Sequence, residues 1–202
     1  ATRAAERALE MAGMKASELD LIVLATATPD RPAPASACMI QDKLGAVNAA
    51  GFDIAAVCSG ALFALTTACQ YIESGFYKNV MVIGADTFSN IIDWDRRDAV
   101  FFGDGAGALL LSATEEDRGF IGFDMNTDGS GRDGFPVPAG GSERPASEET
   151  LAQGLHCFQM DGQAVYQTAI KAVPASIEKV LAKTGVSIDD IACMLPHQPS
   201  IK

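Results

Sequence analysis

The residues with the clearest chemical potential lie in one window, Phe52-Asp53-Ile54-Ala55-Ala56-Val57-Cys58-Ser59-Gly60-Ala61. Phe52 to Val57 reads as a buried strand, and Ser59 to Ser74 as a long apolar helix stopped by Gly75. The pattern predicts that a strand delivers Cys58 to the first turn of that helix, where unpaired backbone N–H groups and the positive dipole end favour a thiolate. Ser59-Gly60 keeps the turn small, so a substrate carbonyl can approach both the sulfur and the N–H groups around it. A free cysteine also packs as a small hydrophobe, and placement alone leaves nucleophile and core filler both open.

His197 follows Cys193-Met194-Leu195-Pro196, the end of a strand predicted over 191–195. Doubly wound sheets present ligand-facing residues at the carboxyl ends of their strands, so His197 is a candidate acid or hydrogen-bond donor, with a satisfied structural histidine as the alternative. His156, beside Cys157 in a loop, has no strand end to present it and is read as non-catalytic. Cys38, Cys69, Cys157 and Cys193 lie within apolar patterns and are read as packing residues. The run Phe102-Gly103-Asp104-Gly105-Ala106-Gly107-Ala108 imitates a dinucleotide fingerprint but precedes a strand instead of bridging strand to helix. Its glycines are expected to make a tight turn with Asp104 as a turn residue. Five cysteines without a C-x-x-C pair, and only two histidines, support neither a disulfide framework nor a zinc site.

The elements that must position these residues alternate. Residues 2 to 12 form an apolar helical face ended by Gly13; Leu21 to Ala25 is a wholly apolar run of the kind buried in parallel sheets; Ser36 to Leu44 is a short helix ended by Gly45; Val80 to Ala85 is a third strand. Thr28 to Pro34 holds three prolines and must be loop. This order predicts an α/β sheet with helices on both faces. Further strands are expected near 107–112 and 119–125, a Gly- and Pro-rich surface loop over 127–150, and a helix over 160–184 that Pro174 kinks or breaks.

Composition bounds the partners. With 48% hydrophobic residues the chain has ample material for a core, and a net charge of −11 argues against nucleic acid or an anionic membrane. The longest apolar runs fall far below the roughly 20 residues of a membrane span. The opening residues lack the pattern of a signal peptide, so a cytoplasmic setting is expected.

Taken together, Asp53-Ile54-Ala55-Ala56-Val57-Cys58-Ser59-Gly60, the Phe102 to Ala108 run, Met160-Asp161-Gly162-Gln163-Ala164-Val165-Tyr166 and Pro196-His197-Gln198 resemble the β-ketoacyl-acyl-carrier-protein synthase III family, in order and spacing, over essentially the whole chain. The resemblance implies an α/β, thiolase-like αβαβα layered sandwich, incomplete at both ends: residues 1–125 would form most of the first half, 126–159 a surface excursion, and 160–202 the start of the second half. It implies a homodimer with no tightly bound cofactor and no metal. Cys58 would take an acyl group from a coenzyme A thioester, and malonyl-acyl carrier protein would lose CO₂ and attack that thioester. His197, with a family asparagine, would donate hydrogen bonds to the enolate as it forms.

That asparagine lies beyond His197 in the family, whereas the sequence ends five residues after it, so these 202 residues alone are not expected to condense. Arg96 in Trp94-Asp95-Arg96 matches the arginine that stacks on the adenine of coenzyme A, with Arg97 a second claimant. Lys171, one helical turn after Gln167, and Lys202 would serve carrier-protein docking. Ala33 matches the residue that closes the acyl pocket across the dimer interface; a methyl group there implies tolerance of primers longer than acetyl. The usual His-Gln-Ala-Asn reads His197-Gln198-Pro199-Ser200 here. Two other functions remain in view: transfer of the acyl group to a hydroxyl or amine, and a non-catalytic binding subunit.

Overall fold

The computed structural model describes residues 1–198. In chain order its regular elements are α1 (Thr2–Ala12), β1 (Leu21–Ala25), α2 (Ser36–Leu44), β2 (Ala50–Ile54), α3 (Gly60–Glu73), β3 (Asn79–Thr87), β4 (Asp104–Ser112), α4 (Glu148–Ala152) and α5 (Gly162–Thr184). The chain divides into two compact units, Ala1–Thr87 with Asp104–Phe120, and Phe88–Gly103 with the residues from Ile121 onward.

The first unit is built on one sheet of order β2-β1-β3-β4, in which β1 runs parallel to β2 and β3, and β4 returns antiparallel to β3. Strand β1 is buried along its whole length, as a strand with neighbours on both edges and helices on both faces must be. Its alternate residues divide between two cores. Ile22 and Leu24 join Met81 and Ile83 against Ala5 and Leu9 of α1 and Ala37 and Ile40 of α2. Leu21, Val23 and Ala25 join Val80 and Val82 against Ala64 and Ala68 of α3. The period of two along the strands therefore separates α1 and α2 from α3, as the sequence pattern predicts. Helices α1 and α2 end where expected, at Gly13 and Gly45, both left-handed. Strand β2 is shorter than its apolar run and only partly buried, because it lies at the edge of the sheet.

The second unit gathers around four phenylalanines. Phe88 and Phe102 stack with ring centroids 5.2 Å apart, and Phe158 meets Phe102 and Phe135 edge-on at 4.9 and 4.4 Å. Backbone bonds from Phe158 N–H to Ile91 O and from Gln159 N–H to Pro136 O hold the surrounding loops.

Three expectations are corrected here. Residues 119–125 form no strand: Ile121 is exposed, and the segment is fastened sideways to α5 by Asp124, which accepts from Ser176 Oγ at 2.9 Å and lies 3.3 Å from Lys183 Nζ. Those bonds hold the Asp124 carboxyl below the usual carboxylate range, the Ser176 bond first. Residues 191–195 form no strand either; Ile191, Met194 and Leu195 are exposed, and among the described residues no strand offers them a ladder. Finally, α5 runs unbroken through Pro174, which removes one backbone donor, while Asp161 caps its start and left-handed Gly185 its end.

The two-core arrangement makes Leu24, 2% exposed, a point of high cost. Leu24→Ala is expected to lose about 2–5 kcal/mol in urea unfolding, whereas Leu62→Ala, on the exposed side of α3, stays within about 0.5 kcal/mol of wild type.

Candidate active site

Strand β2 ends at Ile54, and the chain then makes a short 3₁₀ turn over Val57–Ser59 before α3 begins at Gly60. Cys58 therefore sits in the turn ahead of the helix, one step earlier than the sequence pattern predicts, and it is exposed. Ser59 N–H closes the turn on Ala56 O at 3.0 Å. Val57 holds φ at 44°, the one non-glycine residue with positive φ among the described residues. A β-branched side chain rarely adopts that backbone, which costs on the order of 1–3 kcal/mol, so the surroundings must enforce it.

Part of that enforcement is the seat of α3. Gly60 is buried, and a Cβ built on it would stand 3.1 Å from the Ala25 Cβ at the end of β1. The first turn of the helix thus rests closely on the strand, and a side chain at position 60 would have to push Ala25 back by a few tenths of an ångström.

The thiol does not behave as the helix terminus alone would suggest. Burial of the sulfur pushes the Cys58 thiol up from its ordinary range; a hydrogen bond from its own backbone N–H pulls it down; the Asp86 carboxylate pushes it up again. The net direction is upward, which corrects the expectation of a thiolate favoured by the dipole. Desolvation outweighs a dipole whose effect fades within one turn. What the turn offers is an accessible sulfur nucleophile that must lose a proton to react.

The one sequence signal for Asp86 is its type and place, a carboxylate at the carboxyl end of a buried strand. Asp86 lines a cavity of about 320 Å³ together with Thr26, Thr28, Ser36 and Asp104. Cys58 does not line this cavity. Asp104 is the first residue of β4, not a turn residue, because the Gly-rich run pairs with β3 along its length.

The remaining candidates fall as follows. Ala33 is exposed in the β1–α2 loop and precedes Pro34 across a cis peptide bond. In the second unit, Arg96 is joined to Asp98 by two bonds of 3.0 and 2.8 Å and lines an open hollow with Arg97, Val100 and Phe101. That pair, its hydrogen bond first, holds the Asp98 carboxyl low. Lys171 is exposed on α5 and shares a shallow surface with Gln167. His197 is exposed in the irregular stretch after residue 190. Lys202 lies outside the described residues. Cys58 and Ala33 belong to the first unit, and Arg96, Lys171 and His197 to the second. Of the cysteines read as packing residues, Cys69 is buried and Cys157 half-buried, but Cys38 and Cys193 are exposed. Among the described residues no cluster of three or more side chains could hold a metal ion, and no helix is long and apolar enough to cross a membrane.

A mixed sheet flanked by helices, with a cysteine on the turn into one of them, is the arrangement of thiolase-like proteins, and the solved structures it resembles are of that kind. A synthase III from Aquifex aeolicus VF5 is 35% identical and superposes with a TM-score of 0.83 over 95% of this chain and 57% of its own. The priming β-ketosynthase of the R1128 polyketide pathway is 30% identical with a TM-score of 0.82, over 94% of this chain and 56% of its own. The profile of the family described as 3-oxoacyl-[acyl-carrier-protein (ACP)] synthase III matches residues 52–129. The β-ketoacyl-[acyl-carrier-protein] synthase III of Desulfitobacterium hafniense (strain Y51) is 46% identical over 99% of the chain. That of Caldanaerobacter subterraneus subsp. tengcongensis is 45% identical over all of it. The chain spans 61% of the length of each of these two relatives. Over its whole length the chain is similar to proteins of the β-ketoacyl-acyl-carrier-protein synthase III family.

The balance of forces on the thiol gives a direct check. Because the ordinary thiol range is displaced upward, alkylation of Cys58 by iodoacetamide, followed by peptide mapping, is expected to keep rising at pH values where a small free thiol has levelled off. Asp86→Asn removes a negative charge that opposes ionisation, so its Cys58 alkylates faster than wild type at the same mildly alkaline pH.

Proposed function

We propose that the protein carrying this chain is an acyl-thioester condensing enzyme, with Cys58 as the residue that carries the acyl group. The observation that carries this reading is the exposed cysteine on the β2–α3 turn, within a chain similar to synthase III proteins over its whole length. In the first half-reaction the Cys58 sulfur attacks the carbonyl of an acyl-coenzyme A, and coenzyme A leaves as its thiol. In the second, a malonyl-carrier thioester loses CO₂; the resulting enolate attacks the Cys58 thioester, forming the β-ketoacyl product and freeing the sulfur.

His197 takes two roles in this reading. It donates to the thioester oxygen as enolate charge develops. Because the Cys58 thiol is pushed up, the same imidazole is also the proton acceptor that readies the sulfur for acylation. Arg96, pre-oriented by Asp98 beside the exposed Trp94, binds the coenzyme A nucleotide. Lys171 and Lys202 receive the acidic carrier protein, and Ala33 leaves room at the end of the acyl pocket. The enzyme works as a homodimer in the cytoplasm, where acyl-coenzyme A and carrier thioesters are available, and it needs no bound cofactor.

Mass mapping of the complete protein after incubation with acetyl-coenzyme A is expected to find the acyl group on Cys58 and to find none in Cys58→Ala or, beyond a trace, in Cys58→Ser. An acyl group on another cysteine overturns the assignment. Measured separately, condensation by His197→Ala should fall about 10²–10³-fold at every pH, as for loss of an oxyanion donor. Its acylation should fall near neutrality and recover as alkaline pH ionises the thiol. Failure of acylation to recover would remove the proton-acceptor role.

A further inference from the structure

The loop between β1 and α2 is fastened at both ends by carboxylates on the strands to either side of β1. At its start, one oxygen of Asp86, near the end of β3, accepts from Ala27 N–H at 2.7 Å, the Thr28 hydroxyl at 3.1 Å and the Thr26 hydroxyl at 3.2 Å. Thr87 N–H adds a bond to Thr28 Oγ1 at 2.8 Å. At the other end, Asp53 on β2 accepts from Ser36 N–H at 2.7 Å on one oxygen and from Ala37 N–H at 2.8 Å on the other. The Ser36 hydroxyl in turn accepts from Asp30 N–H at 2.9 Å.

Asp53 stands in register with Leu24, whose face packs against α1 and α2. Asp86, near the end of β3, lines the cavity with Thr26, Thr28 and Ser36. Each is half-buried near the end of its strand and directs its carboxylate at the loop. Bonds of this kind, from a carboxylate to backbone N–H groups, are roughly twice as strong as neutral ones. Between the clamped ends Pro29, Pro32 and Pro34 stiffen an exposed span, so the position of the span follows from that of its ends. Ala33 lies in that span.

We propose that Asp53 and Asp86 are specificity-determining positioning residues: by clamping both ends of the loop over residues 26–37, they set where Ala33 stands and so which acyl length Cys58 accepts. This rests on the acyl-transfer reading above. It extends that reading from the residue that closes the pocket to the two residues that hold the closing segment in place.

The test compares wild type, Asp53→Ala, Asp53→Asn, Asp86→Ala and Asp86→Asn in the complete protein, with two readouts. Amide exchange over residues 27–37 is expected to quicken about tenfold or more in both alanine variants while β1 and β3 stay protected. The ratio of octanoyl to acetyl transfer onto Cys58 is expected to shift about fivefold or more, several methylenes' worth of altered burial. Both acyl groups meet the same sulfur, so a change in thiol ionisation leaves the ratio untouched. Asn at position 86 keeps an acceptor oxygen in place and should restore both readouts; Asn at position 53 keeps one acceptor of two and should fall between. If an alanine variant loses protection in β1 and β3, Asp53→Asn, which keeps one acceptor of two, decides: a ratio equal to that of wild type overturns the clamp. Exchange that does not change, or faster exchange with an unchanged ratio, overturns the clamp alone. A wild-type protein that accepts neither acyl group on Cys58 overturns the acyl-transfer reading, and the clamp with it.

Discussion

The close seat of Gly60 on Ala25 is the constraint on which the arrangement around Cys58 depends. The gap it closes is too small for a second methyl without displacement, so the start of α3 lies against the end of β1 at a fixed depth. From that seat follows the crowding of the preceding turn. The chain leaves β2 at Ile54 and has only Ala55 to Ser59 in which to reach the helix, which places Val57 in left-handed backbone and turns Cys58 outward. Such a conformation persists only where the elements on either side, here the end of β2 and the buried start of α3, hold the turn in place.

The same crowding explains why the thiol is harder to ionise than an isolated helix terminus would make it. Burial costs the sulfur more than the hydrogen bond from its own backbone N–H returns, and Asp86 adds a like charge to the balance. Reactivity at this position is therefore conditional on a proton acceptor. Such a cysteine resists indiscriminate oxidation and alkylation near neutrality more than a low-pKa thiolate does.

Much of this was legible in the chain itself because the signals were local. Helices Thr2–Ala12 and Ser36–Leu44 carry apolar residues on one face and a glycine at the stop, and Leu21–Ala25 is apolar throughout, as a strand covered on both faces must be. Cys58 was legible from its position between a strand pattern and a helix pattern. What failed depended on partners distant in sequence. Ile191 to Leu195 has the composition of a buried strand but finds no ladder among the described residues, and the apolar run after Ile54 was broken by the seat of α3. Asp86 reaches Thr26 to Thr28 across nearly sixty residues, so no periodicity in its neighbourhood marks it. Asp53, though inside the most informative window, looks like an ordinary polar residue until α2 is folded onto it.

The strand order also leaves β4 at the margin of the sheet, bonded on one side to β3 alone among the described residues. Its run from Asp104 to Ser112 contains three aliphatic leucines, two glycines and no lysine, arginine or proline to discourage a visitor. A long margin of this composition, with Leu109 exposed, is a ready template for another extended chain. Any strand that comes to lie along this margin, from elsewhere in the protein or from another molecule, meets a row of backbone N–H and C=O groups ready to bond.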